Sequence, residues 1–418
     1  MPASPAESSP NTASNAAPAT EVPPPATGAA PLCYLVDEDA SIRLFLSLIL
    51  HGSGIDTVEF ADGAALHQAA DKRTPDLIVH NIALDSADVI ESLGALGKRG
   101  FAGAVQLTSS RGAAVLEHVK GIGIEHKLHM LPVLKKPYET EAVVKIVQDL
   151  KLGLAAATAK IDIEQALANN WIEFWYQPKI ALRKKQLAGA EAYARARHPQ
   201  HGILLPGAFM ADASESSVTK LSELALADAL KTGVMFSKHG VNIPLTVNVH
   251  PAILDKLPVG DIVKTHRPGA DQWPALIVGL REEHIISDLA LAVELGKRLA
   301  PHNMRLAIDE FGGGYSALAR FGDMPFAELK LDRKFVADCG TDKVNMPLCK
   351  SVIDLAHSHR RSAVAMGLEK AADAMALVSM GCDYGQGLLL GQPMPAERFI
   401  ALLRQRSGPA RDPVAAAR

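Results

Sequence analysis

Apolar runs of strand length alternate with amphipathic stretches of helix length from residue 32 to about residue 150. The runs that predict strands are residues 33–36, 77–79, 105–107 and 133–134, and the stretch at 41–51 predicts a helix. Strands that alternate with helices in this way form parallel sheets with helices packed on their faces. The pattern therefore predicts a doubly wound α/β domain of the (βα)5 kind.

A second alternating series runs from residue 161 to about residue 403. Its predicted strands are residues 174–176, 187–193, 245–249, 276–280, 305–308, 328–331 and 363–365, with a last one around Gly387. Eight strands in about 245 residues match the size of a (β/α)8 barrel of the TIM type. The sequence thus predicts two α/β domains in a row.

Composition marks off three further segments. Residues 1–30 are mostly Ala, Pro, Ser and Thr and cannot bury enough apolar surface to offset the entropy lost on ordering, which predicts a disordered leader. Residues 151–160 are Ala-rich and predict a short helical linker, and residues 407–418 predict a flexible tail. The expected domains are therefore residues 31–150 and 161–406.

Overall composition narrows the classes of function. No run approaches eighteen apolar residues and the N-terminus lacks the order of a signal peptide, so neither a membrane span nor export is predicted and the cytoplasm is the expected location. A net charge of −3 without a basic stripe argues against a nucleic-acid polymer as ligand. The four cysteines form no CxxC pair, which predicts buried thiols and not a zinc site or a disulfide framework.

Charged residues follow the first and last predicted strands of the first domain. Asp37 and Glu38 follow the first strand, and Lys136 follows the last. In a doubly wound sheet both positions lie at the carboxyl edge, where ligands bind. The domain resembles the response-regulator receiver family. This resemblance implies that the acid pair holds Mg²⁺ and that Thr108 and Lys136 contact a phosphoryl group.

Asn81 stands where the receiver family carries its phosphoacceptor aspartate. An amide is a poor nucleophile and brings no charge for Mg²⁺, so an aspartyl phosphate is not expected. The residues also allow Asp37, Glu38 and Lys136 to be an exposed ion cluster on a protein-binding scaffold, and we favour that interpretation. We expect this domain to dock or dimerise instead of switching.

Several short motifs follow one another in the second domain. They are Tyr176-Gln177-Pro178, Gly189-Ala190-Glu191-Ala192-Tyr193-Ala194-Arg195, Val247-Asn248-Val249, Ile308-Asp309-Glu310-Phe311-Gly312, Leu329-Lys330-Leu331-Asp332 and Gly385-Gln386-Gly387. One such motif alone is weak evidence, but their shared order and spacing is specific. Together they resemble the EAL family, barrel phosphodiesterases that linearise the bacterial second messenger cyclic di-GMP.

Hydrolysis by two metal ions requires oxygen ligands that converge from several strand ends, because two hard cations clamp a phosphate oxygen and lower the pKa of a bridging water. By resemblance, the metal ligands are Glu191, Asn248, Asp309 and Glu310. Lys330 would assist the nucleophilic water, with Asp332 beside it. The residues implied at the nucleotide and the mouth are Gln177, Arg195, Glu369 and Gln386, with Glu282 bracing the loop after its strand.

Two positions depart from the family in a way that affects the chemistry. Gly279 and Met366 stand where the family carries glutamates. Glycine offers no ligand, and a thioether is too soft and uncharged to replace a carboxylate at a hard cation. Tyr193 also replaces the leucine of the family motif, and the sequence does not decide whether it stacks on a guanine or blocks it. The sequence therefore predicts that the barrel architecture is kept and the reaction is lost.

Three functions remain open from the sequence. The first is a non-catalytic signalling protein whose barrel senses cyclic di-GMP or docks a protein. The second is a weak phosphodiesterase that gathers Mg²⁺ or Mn²⁺ through Glu191, Asn248 and Asp309; no cofactor is expected unless such residual activity exists. The third is a scaffold without nucleotide affinity, in which the retained acids are helix caps or loop anchors and Lys330 forms a structural ion pair. A signalling partner and a homodimer are expected.

Overall fold

A computed structural model describes residues 31–70, 73–82, 87–110, 113–136, 140–152, 159–267, 275–312 and 324–406. The predicted leader and tail, and most of the predicted linker, lie outside these residues. The described chain divides into two compact units, the first built mainly from residues before 140 and the second mainly from residue 140 onwards. Within the described ranges, none of the helices is both long and apolar enough to cross a membrane.

The first unit is a parallel α/β sheet. Its strands are β1 Leu32–Val36, β2 Asp56–Phe60, β3 Leu77–Asn81, β4 Ala104–Ser109, β5 His129–Met130 and β6 Leu134–Lys135. The helices in this part of the chain are α1 Ala40–Gly52, α2 Gly63–Ala70, α3 Ala87–Lys98, α4 Ala113–Glu125 and α5 Thr140–Asp149. The strand order is β2-β1-β3-β4-β5, with β6 also paired to β4. This order is that of a flavodoxin-like doubly wound sheet and fits a receiver-like domain.

Strands that are fully buried were predicted from the sequence, whereas a partly exposed strand was missed. Every residue of β1, β3 and β4 is buried, so these strands read as continuous apolar runs and the predictions for them are confirmed. By contrast, β2 carries Asp56 and Glu59 and none of its residues is fully buried, and the sequence did not predict it. The last predicted strand, at residues 133–134, corresponds to the short strand β6, and the short strand β5 before it was not predicted.

The second unit contains the barrel. Its strands are β7 Ile172–Ala181, β8 Gln186–His198, β9 Gly202–Leu204, β10 Leu245–Asn248, β11 Leu276–Arg281, β12 Met304–Phe311, β13 Phe326–Leu331, β14 Ser362–Ala365, β15 Tyr384–Gly385 and β16 Met394–Pro395. Its helices are α6 Ile163–Ala168, α7 Glu215–Lys238, α8 Pro251–Lys256, α9 Val259–His266, α10 Glu282–Ser287, α11 Leu289–Leu299, α12 Arg333–Val336, α13 Asn345–Ser358, α14 Ala371–Met380 and α15 Ala396–Arg406.

Eight of these strands close into a ring in the order β7-β15-β14-β13-β12-β11-β10-β8, and β8 pairs with β7. The predicted eight-stranded barrel is confirmed, but one strand runs against the others. β7 is antiparallel to both of its neighbours, β8 and β15. The reason is the short turn at residues 182–185, because a parallel connection needs a crossover of a dozen residues or more.

A buried ion pair lies within the barrel unit. The Lys179 ammonium on β7 bonds to the Glu328 carboxylate on β13, and both side chains are almost wholly inaccessible to solvent. A Cβ atom at Gly189 would lie 2.7 Å from the Lys179 side chain, so the glycine leaves room for this lysine to pass. The motif analysis did not single out either charged residue. Two charges in a dry interior are tolerated only because each compensates the other.

We expect Lys179→Met to lower the free energy of unfolding by about 3–5 kcal/mol, because it leaves the Glu328 carboxylate buried without a counter-charge. The double variant Lys179→Met with Glu328→Met should regain most of that loss. Urea unfolding followed by circular dichroism measures both. The matched control is Lys350→Met, which breaks an exposed pair with Asp354 and should cost about 1 kcal/mol or less. Equal effects at Lys179 and Lys350 would contradict the prediction.

His80 is a buried titratable group in the first unit. It lies on β3 with 3% of its surface exposed, and Nδ1 is 2.9 Å from the Asn81 carbonyl oxygen. Its Nε2 atom has no hydrogen-bond partner among the described residues. Burial lowers the pKa of the His80 imidazole, with the Asn81 carbonyl opposing that effect. The folded protein therefore holds this side chain neutral.

The free energy of unfolding should fall as the pH drops below about 6.5, because the unfolded chain then binds a proton at His80 that the folded chain excludes. The contribution of the neutral His80 side chain to the free energy of unfolding is present above that pH and is lost below it. The free energy of unfolding then changes by up to about 1.4 kcal/mol per pH unit. His80→Leu should flatten this dependence, as seen in urea unfolding at several pH values. The exposed His118 is the control position, and His118→Leu should leave the pH profile unchanged.

Candidate functional site

Four polar side chains from four strands meet inside the mouth of the barrel. They are Glu191 on β8, Asn248 on β10, Asp309 on β12 and Lys330 on β13. Strand pairing accounts for their meeting, since Glu191 is in register with Thr246 of β10, and β10, β11, β12 and β13 run side by side in parallel. The structure therefore brings Lys330 together with three of the four side chains that the family resemblance assigned to the metal, Glu191, Asn248 and Asp309, but not with Glu310.

Lys330 stands at the centre of this group. Its Nζ atom donates to Glu191 Oε1 at 2.9 Å and to Asp309 Oδ2 at 3.3 Å, and 1% of its side chain is exposed. Burial alone would lower the pKa of the Lys330 ammonium, but the charges of Asp309 and Glu191 outweigh it and the pKa is raised. The lysine is therefore a permanent buried cation between two carboxylates.

Asn248 fills the space beside Gly279. These two residues are partners in the pairing of β10 with β11. The Asn248 Nδ2 atom donates to Glu191 Oε1 at 2.7 Å, and its Oδ1 atom lies 2.0 Å from the point where a Cβ at position 279 would stand. A side chain at position 279 would require Asn248 to move. The glycine and the asparagine are therefore fitted to each other.

Glu310 is turned toward a surface arginine. Its backbone is left-handed, with φ of 54°, and its carboxylate accepts hydrogen bonds from Arg281 Nε at 2.9 Å and Nη2 at 2.5 Å. About half of each side chain is exposed. Met366, the second position at which the sequence differs from the EAL family motif, is half-buried and lines the cavity at the mouth. Glu310 thus pairs with Arg281, while Met366 contributes a thioether to the wall.

A chain of hydrogen bonds joins Gln177 on β7 and Tyr193 on β8, which line the cavity, to the buried Gln386 just after β15. Gln386 Nε2 donates to Gln177 Oε1 at 3.1 Å and to Tyr193 Oη at 3.2 Å, and Gln177 Nε2 donates to the Gly391 carbonyl at 2.9 Å. Burial, followed by the charges of Glu191 and Asp309, raises the pKa of the Tyr193 hydroxyl well above its usual range. Tyr193 is therefore a neutral side chain in the wall that accepts a hydrogen bond from Gln386.

Arg195 and Glu369 supply charge at the cavity. The Arg195 guanidinium lies 5.6 Å from the centre of the Trp175 ring and donates to the Ala194 carbonyl at 2.8 Å. Burial lowers the pKa of Arg195 to about 10, so it remains a cation at neutral pH. Glu369 lines the same cavity and is exposed. An aromatic face holds the arginine without neutralising it, which leaves its charge for a ligand.

Glu282 and Asp332 support the backbone of the mouth. The Glu282 carboxylate accepts the Gly312 amide at 3.1 Å, so it holds the segment after β12. Its role in bracing the loop after its own strand stays a prediction. Asp332 caps α12 through the Lys334 amide at 3.0 Å. Among the described residues, no group of three or more His, Cys, Asp or Glu side chains is arranged to hold a metal ion.

The receiver-like site gathers at the carboxyl ends of its strands. Lys136 Nζ bonds to Asp37 Oδ2 at 2.5 Å, and Asp37 is buried. Asn81 at the end of β3 is in register with Thr108 of β4, whose hydroxyl has no hydrogen-bond partner among the described residues. Glu38 is exposed. The strand ends therefore bring Asp37, Asn81 and Thr108 together, with Lys136 paired to the acid.

Comparison with known proteins places the second unit in a family. A family model described as EAL domain matches residues 161–393. The cyclic di-GMP phosphodiesterase RocR of Pseudomonas aeruginosa is 32% identical over 288 residues, which cover 65% of this chain and 72% of that protein. The bifunctional diguanylate cyclase/cyclic di-GMP phosphodiesterase MucR of the same organism is 29% identical over 248 residues, or 57% of this chain and 36% of that protein.

A solved structure agrees with the sequence relatives. The PaMucR phosphodiesterase in complex with c-di-GMP has a TM-score of 0.53 and 28% identity, and the match covers 57% of this chain and 97% of that one. The barrel ring and the meeting of Glu191, Asn248, Asp309 and Lys330 at its mouth accord with these matches. This chain therefore belongs to the EAL domain family of cyclic di-GMP signalling proteins.

Proposed function

We propose that this chain is a non-catalytic cyclic di-GMP signalling protein. Its barrel binds the nucleotide, or a protein partner, without hydrolysing it, and its receiver-like domain does not accept a phosphoryl group. The observation that carries the proposal is the Lys330 ammonium between Glu191 and Asp309, in a site where positions 279 and 366 offer no carboxylate.

The side chains at the mouth do not fit a centre of two divalent cations. Such a centre needs several anionic oxygens, but Gly279 and Met366 provide none. Glu310 is engaged by Arg281, and Asn248 presents its amide nitrogen to Glu191. The Lys330 ammonium already partly neutralises the carboxylates of Glu191 and Asp309. Two divalent cations at this site would be repelled by that ammonium and would find few oxygen ligands.

The part of the cavity that faces a ligand keeps its polar groups. Arg195 retains its charge, and the Gln177 and Gln386 amides are fixed by hydrogen bonds to each other and to Tyr193 and Gly391. An arginine pairs well with phosphate, and preorganised amides lose little entropy on binding. Binding and turnover draw on different residues here, because turnover alone requires the metal ligands. Nucleotide binding without hydrolysis therefore follows from this set of residues.

A weak phosphodiesterase is the second candidate, and one atom favours it. Glu191 Oε2 is buried and no hydrogen bond of normal geometry reaches it from the described residues, although the Tyr193 hydroxyl interacts with the same carboxylate. Glu191, Asn248 and Asp309 would hold a single Mg²⁺ or Mn²⁺, which would polarise a phosphate oxygen. The named relatives RocR and MucR are phosphodiesterases. This candidate requires Lys330 and Asn248 to release Glu191.

We expect the purified chain to bind cyclic di-GMP in calorimetric titration without added metal and to leave it intact when Mg²⁺ or Mn²⁺ is present. Binding should weaken by about 10-fold or more in Arg195→Ala, because a charge-assisted phosphate contact is lost. Chromatography of the nucleotide after incubation checks the second part. Metal-dependent linearisation that disappears in Glu191→Ala would favour the weak phosphodiesterase. If the titration shows no heat of binding, the barrel is better explained as a protein-docking module.

We expect acetyl phosphate to leave no acid-labile mass increment on residues 31–150, because Asn81 cannot form an aspartyl phosphate. Intact-mass spectrometry of the full chain, followed by peptide mapping, measures this. The matched control is Asn81→Asp, which places a carboxylate beside Asp37 and Lys136 and should gain a labile increment in the presence of Mg²⁺. A labile increment on the unmodified sequence would show that another acid accepts the phosphoryl group.

A further inference from the structure

Two opposite charges stand across from each other in the pairing of β7 with β8. Glu173 on β7 is the register partner of Arg195 on β8, and the two strands are antiparallel. Residues that are directly opposite in such a pair have Cβ atoms about 4.5–5.5 Å apart, and opposite charges in these positions attract each other. The strand register by itself therefore favours an ion pair between Glu173 and Arg195.

The Glu173 carboxylate is instead bound by two other side chains. Arg197 Nε donates to Glu173 Oε2 at 3.0 Å, and Arg197 Nη2 donates to Glu173 Oε1 at 2.9 Å. Trp175 Nε1 donates to the same Oε1 atom at 2.7 Å. A carboxylate has about four lone-pair sites, so these three donors use most of what Glu173 offers. The bidentate contact of Arg197 also fixes the orientation of the carboxylate.

Arg195 is left without an acidic partner. Among the described residues, no carboxylate forms a hydrogen bond or an ion pair with it; its Nη1 atom donates to the Ala194 carbonyl at 2.8 Å, and its guanidinium lies 5.6 Å from the centre of the Trp175 ring. Trp175 is 3% exposed, so its ring is a fixed surface for the guanidinium. Both Arg195 and Trp175 line the cavity at the barrel mouth.

The spacing along the two strands makes this arrangement possible. Glu173 and Trp175 are two residues apart on β7, and Arg195 and Arg197 are two residues apart on β8, so the four side chains share one face of the strand pair. Arg197 is the diagonal neighbour of Glu173, which a long side chain can reach. About half of the Arg197 side chain is exposed, and it does not line the cavity at the mouth.

We propose that Arg197 and Trp175 keep the Glu173 carboxylate away from Arg195, so that Arg195 stays available for a phosphate group of the nucleotide. Arg197 is then a positioning residue, which acts on the ligand through Arg195. The inference rests on the proposed binding of cyclic di-GMP by the barrel and adds how the phosphate-binding cation is kept unpaired. An Arg195 that spent most of its time paired with Glu173 would bind more weakly, in proportion to the fraction that is unpaired.

Arg197→Met tests the proposal in calorimetric titration of the full chain with cyclic di-GMP. Loss of Arg197 frees Glu173 to pair with Arg195, so we expect binding to weaken by about 5-fold or more. Adding Glu173→Gln to the same chain removes the competing charge and should restore the affinity to within about 2-fold. The matched control is Arg298→Met, which breaks an exposed ion pair with Asp255 and should leave the affinity unchanged.

The effect of Arg197 must depend on Arg195. In an Arg195→Met background, neither Arg197→Met nor Glu173→Gln should change the affinity by more than about 2-fold, because the cation on which they act is gone. A general effect of surface charge would persist in that background. Equal weakening by Arg197→Met with and without Arg195, or a failure of Glu173→Gln to restore binding, would overturn the proposal.

A crystal structure of the Arg197→Met chain tests the positioning without any nucleotide. We expect the Arg195 guanidinium within hydrogen-bonding distance of the Glu173 carboxylate and away from the Trp175 ring. An Arg195 that stays over the Trp175 ring would contradict the role of Arg197. If the unmodified chain shows no heat of binding, the proposed nucleotide binding fails, and this crystal structure still decides whether Arg197 keeps Glu173 from Arg195.

Discussion

The ammonium of Lys330 is the group on which the barrel mouth depends. Glu191 and Asp309 come from strands that are not neighbours, and the Lys330 Nζ atom lies between their carboxylates, at 2.9 Å from Glu191 Oε1 and 3.3 Å from Asp309 Oδ2. Without that cation, the negative charges of the two carboxylates would repel each other with no positive charge between them. The same ion pairs set the accessible chemistry, because any further cation that approaches must compete with a positive charge already in place.

The neighbours of Lys330 are adjusted to this arrangement. Asn248 adds a donor to the same Glu191 oxygen, and it can adopt that position because Gly279 has no side chain. A glutamate at position 279 would require Asn248 to move and would add a negative charge, so the residue at position 279 and the orientation of Asn248 are linked.

The sequence predicted the features that follow from burial and strand order. Continuous apolar runs located β1, β3 and β4, and the motif order located Glu191, Asn248, Asp309 and Lys330 at one end of a barrel. Features that depend on pairing across the fold were missed. The ten residues between the predicted runs at 174–176 and 187–193 are too few for a parallel crossover, and this signal would have revealed the antiparallel β7. The Lys179 and Glu328 pair has no comparable signal, because it joins elements that only tertiary packing brings together.

In each of the two units, a lysine forms an ion pair with a buried carboxylate at the carboxyl ends of the strands. In the first, Lys136 pairs with Asp37 at 2.5 Å, and in the second, Lys330 pairs with Glu191 at 2.9 Å. A buried acid that already has an ammonium partner gains less from a divalent cation than a free acid does, because the cation must first overcome the repulsion of the lysine. An anionic ligand experiences the opposite effect, since the lysine attracts it. The ammonium groups at both edges therefore attract anionic groups, a property that the two units share.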